Sequence, residues 1–252
     1  MNNAMGGAII EVSNVTKTYG GVVANKEISL TVPEGTITGL IGPNGSGKTT
    51  LFNSIVGYHP IDAGSIKLRG REISKLRVQQ IARLGLIRTF QQTRIFSKMN
   101  CVDNMLISIP HRRASWKDMF SYYSSDITEK AEALLEFVGL YRKRYLTAGD
   151  LSFGQQRLLE FAMALMNEPD VLLLDEPTAG INPTLINGLI DRLKRANTDF
   201  GITLFVIEHN MRVIMNLADN IYCLAHGELL AHGVPEQIQK DQRVIDAYLG
   251  AH

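Results

Sequence analysis

A glycine-rich segment near the start of the chain has the residue types needed to hold phosphate groups. Residues 42–49 fit the pattern G-x-x-x-x-G-K-[ST] in full. Glycines let backbone N–H groups turn onto phosphate oxygens, and the helix predicted to follow adds partial positive charge. Lys48 is expected to reach the β- and γ-phosphates of a nucleoside triphosphate, and the Thr49 hydroxyl to ligate Mg²⁺. The predicted phosphate-binding residues are Gly42, Pro43, Asn44, Gly45, Ser46, Gly47, Lys48, Thr49 and Thr50.

Two adjacent acids follow an apolar run in the last third of the chain. Residues 171–176 read Val-Leu-Leu-Leu-Asp-Glu. Asp175, at the carboxyl end of a buried strand, is suited to the Mg²⁺ shell, and Glu176 is suited to act as a general base toward water. Acids end many strands, so this pattern gains its meaning from the phosphate loop. An Asn-Lys-x-Asp motif is absent, so nothing supports a guanine-specific GTPase.

The first third of the chain is predicted to be rich in strands. Apolar and polar residues alternate over 28–32 and again over 66–68, as in half-buried strands. Residues 36–41 form a strand that leads into the glycine-rich loop, and residues 49–56 have helical spacing. The loop therefore has the strand–loop–helix context that a phosphate-binding motif requires.

The middle of the chain is predicted to be helical and the last third to alternate again. Asp126 with Glu129, and Ser152 with Gln155, form capping boxes that start two helices. After residue 167 the predicted elements are buried strands over 171–174 and 203–207, a helix capped by Asn182, a hairpin turning at 226–227 and a closing helix over 235–249.

These elements predict one α/β domain over residues 1–252. Its nucleotide-binding core, with an antiparallel β edge, is expected at about 1–93 and 168–252, and an inserted helical lobe at about 94–167. The composition agrees, because 45% of the residues are apolar, which is enough to bury a full core.

Composition also excludes several classes of protein. The net charge of +1 argues against a protein that coats nucleic acid. The two cysteines, Cys101 and Cys223, form no CxxC pair, so neither a zinc ribbon nor a disulfide scaffold is available, and a reducing compartment is expected. No apolar stretch approaches the roughly 18–20 residues of a membrane-spanning helix, and residues 1–8 lack the pattern of a signal peptide.

Residues 151–155, Leu-Ser-Phe-Gly-Gln, identify the family that the chain resembles. They are similar to the signature motif of ATP-binding cassette (ABC) ATPases and lie, as in that family, shortly before the acid-ended strand. Tyr19, Gln91, the loop 179–182 and His209 follow the family pattern in order. Each alone has an ordinary structural reading, but together they extend the resemblance over essentially the whole chain.

The resemblance implies a P-loop NTPase (RecA-like) fold and a role for each residue. Tyr19 would stack on the adenine of ATP, Gln91 would sense the metal and face a transporter partner, and His209 would be the switch histidine. Two cassettes of this family pack head to tail, so the signature would bind the γ-phosphate held by the other cassette. The implied catalytic residues are Glu176, His209 and Gln91, the metal ligands Thr49, Gln91 and Asp175, and the signature residues Ser152, Phe153, Gly154 and Gln155.

More particular segments resemble one branch of the family. Residues 88–91 (Arg-Thr-Phe-Gln), 208–211 (Glu-His-Asn-Met), and the ending over 233–238 and 247–250 are similar to ATPase subunits of branched-chain amino acid importers. Urea and amide importers have very similar subunits, and the lipopolysaccharide-export ATPase shares the end of the chain. Phe153 stands where many signatures have Gly, and Asn182 stands where many cassettes have Asp.

The resemblance implies ATP and Mg²⁺ as ligands. It also implies permease subunits and a second ABC ATPase as partners, a solute-binding protein as an indirect partner, and a peripheral place on the cytoplasmic face of the cell membrane. No nucleic acid partner is expected. Three alternatives stay open: a soluble non-transport ABC ATPase, a P-loop kinase, and a nucleotide-binding regulator without turnover. Ser152 and His209 disfavour the kinase, and Glu176 disfavours the regulator.

Overall fold

The computed structural model describes residues 7–89, 95–109 and 125–249, and these form two compact units. The first unit contains the described residues of Met1–Arg88, Asp170–Thr178 and Leu193–His252, and the second those of Thr89–Pro169 and Ala179–Arg192. The predicted α/β class is confirmed. The domain limits given above stay a prediction, and the second unit takes in residues 179–192 as well.

An antiparallel sheet of four strands forms one part of the first unit. Its strands are β1 (Ala8–Tyr19), β2 (Val22–Pro33), β4 (Ala63–Leu68) and β5 (Arg71–Glu72), in the spatial order β2-β1-β4-β5. The alternation predicted over 28–32 is present, because Ile28, Leu30 and Val32 are buried whereas Ser29 and Thr31 between them are exposed.

A mostly parallel sheet of six strands forms the other part. Its strands are β3 (Ile37–Ile41), β6 (Leu86–Arg88), β7 (Val171–Asp175), β8 (Thr203–Ile207), β9 (Asn220–Ala225) and β10 (Glu228–Gly233). The order is β10-β9-β3-β8-β7-β6, and β10 pairs antiparallel with β9. Every residue of β3, β7 and β8 is buried, as expected for strands covered on both faces. The carboxyl ends of β3, β8 and β7 therefore lie side by side.

The helices that lie wholly within the first unit are α1 (Lys48–Ile55), α2 (Val78–Ala82), α7 (Met211–Leu217), α8 (Pro235–Lys240) and α9 (Gln242–Leu249). The prediction of one closing helix over 235–249 is wrong, because the backbone of Asp241 is extended. The Asp241 carboxylate accepts the N–H of Arg243 at 2.9 Å, so it starts a new helix as an N-cap.

The second unit is helical over the residues that are described. It contains α3 (Cys101–Ile107), α4 (Ser125–Phe137), α5 (Phe153–Leu165) and the beginning of α6 (Pro183–Phe200). The capping box of Ser152 and Gln155 is confirmed. The one predicted at Asp126 is wrong, since α4 already includes Ser125 and Asp126 lies in its first turn.

Both cysteines of the chain are buried. Cys101 lies at the start of α3 and Cys223 in β9. Burial raises the pKa of both thiols, that of Cys223 to about 11. Neither thiol is therefore ionised near neutral pH.

Among the described residues, no helix has the length and apolar character needed to cross a bilayer.

Candidate functional site

Three strand ends bring the predicted site residues of the first unit together. The glycine-rich loop leaves β3, the acids Asp175 and Glu176 end β7, and His209 follows β8, the strand between them. The register fixes this arrangement, because Ile207 of β8 pairs with Asp175 on one side and with Leu40 on the other. A ligand at the carboxyl edge of the sheet would meet all three segments, which is where open α/β sheets bind ligands.

Lys48 lies within the glycine-rich loop at the first position of α1. Its ammonium donates to the carbonyl oxygens of Gly42 at 2.8 Å and Pro43 at 2.9 Å. The side chain is buried, and burial lowers the pKa of Lys48, although the charges of Glu176 and Asp175 act in the opposite direction. The loop carbonyls thus hold a cation at the place where phosphate oxygens are expected to arrive.

The shape of the loop depends on two of its glycines. Gly42 has φ +147°, and a Cβ there would come within 2.1 Å of the carbonyl oxygen of Leu224. Gly47, the N-cap of α1, has φ +98°, and a Cβ there would lie 2.3 Å from the carbonyl oxygen of Ala24. Asn25, which is fully buried, donates to the carbonyl of Gly47 at 3.1 Å. Strands β2 and β9 therefore enclose the loop, and side chains at these two glycines would displace it.

Asp175 is paired with an arginine that the sequence did not assign to the site. Arg88, at the end of β6, donates to Asp175 Oδ2 at 2.5 Å and also to the side-chain oxygen of Asn53. Both members of the ion pair are buried, with side chains 8% and 1% exposed. The second carboxylate oxygen of Asp175 is buried and has no hydrogen-bond partner among the residues that the structure describes. That oxygen is available for a cation.

Glu176 and His209 contact each other beyond the ends of the adjacent strands β7 and β8. His209 Nε2 lies 2.6 Å from Glu176 Oε1. Glu176 has φ +51°, an uncommon conformation for a residue with a side chain, and its N–H donates to the carbonyl of Ile207 at 2.9 Å. Backbone strain of this kind costs about 1–3 kcal/mol and is concentrated at functional positions. The hydrogen bond to Ile207 and the contact with His209 keep Glu176 in this strained conformation.

Glu208 fixes the loop that carries His209, and sequence reasoning missed it. Its buried carboxylate accepts the N–H of Thr178 at 2.9 Å and its hydroxyl at 2.5 Å. The other oxygen accepts the N–H of His209 at 3.1 Å and that of Asn210 at 3.3 Å. One carboxylate thus ties the segment after β7 to the segment after β8. The four donors offset the cost of burying this carboxylate, and no local sequence pattern indicated them because Thr178 lies 30 residues away.

Tyr19 ends β1 with an exposed ring. It is 46% exposed, and the edge of the His59 ring meets it with centroids 5.5 Å apart and planes at 87°. Lys17 lies 5.3 Å from the ring centroid and forms an ion pair with Asp62 at 3.0 Å. Burial and the Asp62 charge raise the pKa of the Tyr19 phenol, against the effect of Lys17. The ring thus contacts His59 and Lys17 and is still nearly half exposed, so part of its surface is available for stacking.

The predicted signature residues belong to the second unit, where Ser152 begins α5. The N–H of Gln155 donates to Ser152 Oγ at 3.4 Å, and the N–H of Ser152 donates to Gln155 Oε1 at 3.2 Å. Phe153 is 45% exposed, and a Cβ added to Gly180 would lie 2.8 Å from its ring. Gly154 is buried. The signature and the loop after Glu176 are thus packed together at Phe153 and Gly180.

The structure groups part of the predicted site. The phosphate loop, Asp175, Glu176 and His209 meet in the first unit, and Ser152, Phe153, Gly154 and Gln155 form a separate group in the second. Gln91, predicted as a catalytic residue and metal ligand, lies outside the described residues.

Family models match most of the chain. The model described as "ABC transporter" matches residues 25–179, and that described as "Branched-chain amino acid ATP-binding cassette transporter" matches residues 228–252.

The similar proteins extend over nearly the full chain. BraF of Pseudomonas aeruginosa, a high-affinity branched-chain amino acid transport ATP-binding protein, is 38% identical over 96% of this chain and 98% of its own. LivG of Escherichia coli, with the same description, is 36% identical over the same shares. The ADP conformation of MJ1267, an ATP-binding cassette of an ABC transporter, superposes with a TM-score of 0.86 at 30% identity, covering 96% of this chain and 99% of that one.

Proposed function

The chain belongs to the ABC transporter family of ATPases, and from this premise we propose that it is the subunit that binds and hydrolyses ATP in an importer of branched-chain amino acids. One observation carries the choice of substrate. The full-length similarity to BraF and LivG is accompanied by a separate match of residues 228–252 to the family model described as "Branched-chain amino acid ATP-binding cassette transporter".

ATP is bound by the glycine-rich loop in this proposal. The loop N–H groups and the start of α1 face the phosphates, and the Lys48 ammonium exchanges its carbonyl partners for β- and γ-phosphate oxygens. The half-exposed Tyr19 ring stacks on the adenine. Burial lowers the pKa of Lys48, but the negative charge of a bound triphosphate favours the protonated amine, so Lys48 binds ATP as a cation.

The donors around Asp175 fit a magnesium ion. Asp175 Oδ1 is a buried carboxylate oxygen without a partner among the described residues, and Thr49, one residue into α1, has an exposed side chain. Oxygen donors of this kind are what Mg²⁺ prefers. When bound, Mg²⁺ neutralises charge on the phosphate oxygens. We assign Thr49, Asp175 and Gln91 to its shell.

Glu176 acts as the general base. It accepts a proton from water as the water oxygen bonds to the γ-phosphorus and the bond from phosphorus to the ADP oxygen breaks. His209, 2.6 Å from the same carboxylate, holds it in place through the ring nitrogen and responds to the γ-phosphate as a switch. Glu208 supports this arrangement by fixing the backbone of His209.

The signature acts on a nucleotide held by a second cassette. Ser152, through its cap, orients the first turn of α5, whose N–H groups form an anion site of their own. In a head-to-tail pair, Ser152, Phe153, Gly154 and Gln155 of one chain would close on the γ-phosphate bound by the other. ATP binding then closes the pair and hydrolysis opens it, so the product of the chemistry is movement.

The partners follow from this role. Transmembrane permease subunits bind the chain on the cytoplasmic face of the cell membrane, with Gln91 and residues 94–105 as the proposed contact. A solute-binding protein delivers the substrate to those subunits, and the second ATPase is either another copy of this chain or a related one.

Uptake measurements test the proposal directly. Cells of the source organism that lack the gene are complemented with the parent chain or with Glu176→Gln, and uptake of radiolabelled leucine and of urea is measured. Leucine uptake should be lost in the deletion strain and restored by the parent chain alone. Loss of urea uptake with normal leucine uptake would contradict the choice of substrate, and no change in either would contradict the role in import.

A further inference from the structure

A tyrosine of the last described helix contacts the first glycine of the phosphate loop. The N–H of Gly42 donates to Tyr248 Oη at 2.8 Å, although 206 residues separate the two. Val244, one turn earlier in α9, is buried, so the face of α9 that carries Tyr248 is the face packed on the protein. The C-terminal segment, residues 228–249, thus reaches the nucleotide site through this side chain.

Gly42 links Tyr248 to the phosphate-binding lysine. The same residue whose N–H donates to Tyr248 accepts the Lys48 ammonium on its carbonyl oxygen at 2.8 Å. Its α-carbon is confined as well, because a Cβ there would lie 2.1 Å from the Leu224 carbonyl oxygen and 2.7 Å from Ser46 Oγ. Both polar groups of Gly42 are therefore paired at the point where the loop leaves β3.

The hydroxyl is suited to a fixed contact. Burial raises the pKa of Tyr248 to about 12, so the phenol is neutral near pH 7 and can accept the amide hydrogen without ionising. Loss of the hydroxyl would leave the buried N–H of Gly42 without its partner, which is unfavourable.

We propose that Tyr248 is a positioning residue for the phosphate loop, and that it makes docking of α9 and binding of nucleotide energetically coupled. The inference rests on the proposed nucleotide site. Coupling of this kind is reciprocal: release of α9 weakens nucleotide binding, and bound nucleotide stabilises docked α9. The C-terminal segment, which lies within the match to the branched-chain amino acid family model, is then a control element of the ATP site.

The test compares two Tyr→Phe variants of the full chain. Tyr248→Phe removes the hydroxyl and retains the ring. Tyr222→Phe is the matched control, because the Tyr222 hydroxyl also bonds to backbone, donating to the Thr31 carbonyl at 2.9 Å and accepting its N–H at 3.2 Å. Hydrogen exchange of peptides covering residues 42–49 is measured without nucleotide, and ADP affinity and the kinetics of ATP hydrolysis are measured with Mg²⁺.

In Tyr248→Phe the amide hydrogen of Gly42 should exchange several-fold faster than in the parent. The variant should bind ADP about three- to tenfold more weakly and show a higher KM for ATP with an unchanged kcat. Tyr222→Phe should match the parent in all three. A merely structural role would lower the unfolding midpoint of both variants without separating KM from kcat. Equal loop exchange and equal ADP affinity in Tyr248→Phe and the parent would overturn the proposal.

A second measurement needs no variant. In the parent chain, ADP with Mg²⁺ should slow hydrogen exchange over residues 242–249, and unchanged exchange there would overturn the coupling even if Tyr248→Phe fails to fold. If the parent binds no ADP, the proposed nucleotide site is wrong, whereas exchange of the Gly42 amide without nucleotide still decides whether Tyr248 positions the loop.

Discussion

Replacing Arg88 should destabilise the protein through Asp175. The guanidinium of Arg88 contacts the carboxylate at 2.5 Å, and both side chains are buried. Arg88→Met preserves the volume but leaves a buried carboxylate without a counter-charge. Removal of one partner from a buried ion pair costs about 3–5 kcal/mol, a large share of the stability of a typical domain. The variant should therefore unfold at a clearly lower urea concentration than the parent.

Two further variants separate the ion pair from other effects of the substitution. Arg88→Met with Asp175→Asn removes both charges, so it should recover most of the lost stability. Arg69→Met is the control at an exposed pair, since Arg69 contacts Asp170 and Glu34 with half of its side chain exposed. That change should cost no more than about 1 kcal/mol.

The assay is urea unfolding at pH 7.5, in EDTA and again with ADP and Mg²⁺. Arg88→Met leaves Asp175 in need of a cation, so ADP with Mg²⁺ should raise its unfolding midpoint more than that of the parent. A loss below about 1 kcal/mol in Arg88→Met, or a double variant no more stable than the single one, would refute the reasoning.

Three further predictions concern the ligands and pH. Lys48→Ala should fold but lose ATP affinity in calorimetry, and parental affinity would contradict its assignment. Glu176→Gln should bind ATP, hydrolyse it about 10²-fold or more slowly and accumulate as an ATP-bound dimer in sedimentation, whereas a parental hydrolysis rate would exclude Glu176 as the base. Adding Ser152→Arg to this variant should abolish the dimer but leave ATP binding to the monomer. Lys17 and a neighbouring backbone N–H hold the pKa of Asp62 below its usual value. Asp62 therefore stabilises the fold above the unfolded-state pKa of about 4, and this contribution is lost as the pH falls through the lower folded-state pKa. Asp62→Asn should flatten the decline of the unfolding midpoint between pH 5 and pH 3, and an unchanged decline would refute this.

Local motifs made much of the site predictable. Three short patterns depend on neighbours in sequence: the glycine-rich loop, the acids at the end of β7 and the helix cap at Ser152. The strands and helices around them were predicted from the spacing of apolar residues along the chain. The two helix errors have local causes too: Asp241 acts as an N-cap inside the predicted closing helix, and α4 begins before Asp126.

Contacts between distant segments could not be predicted in the same way. Arg88 reaches Asp175 because β6 lies beside β7 in the sheet, and Tyr248 reaches Gly42 because α9 returns to the end of β3. Glu208 bonds to Thr178 for the same reason. Each depends on the spatial order of elements, which the periodicity of a single chain does not encode.

The burial of both cysteines has a practical consequence for observing the cassette at work. Cys101 and Cys223 are the two cysteines of the chain, and burial keeps both thiols protonated. A cysteine introduced at an exposed position such as Leu249, which is 70% exposed, would therefore react with a maleimide dye far faster than either native thiol. Fluorophores could be attached to the otherwise native sequence, and energy transfer between labelled chains would follow their association in real time.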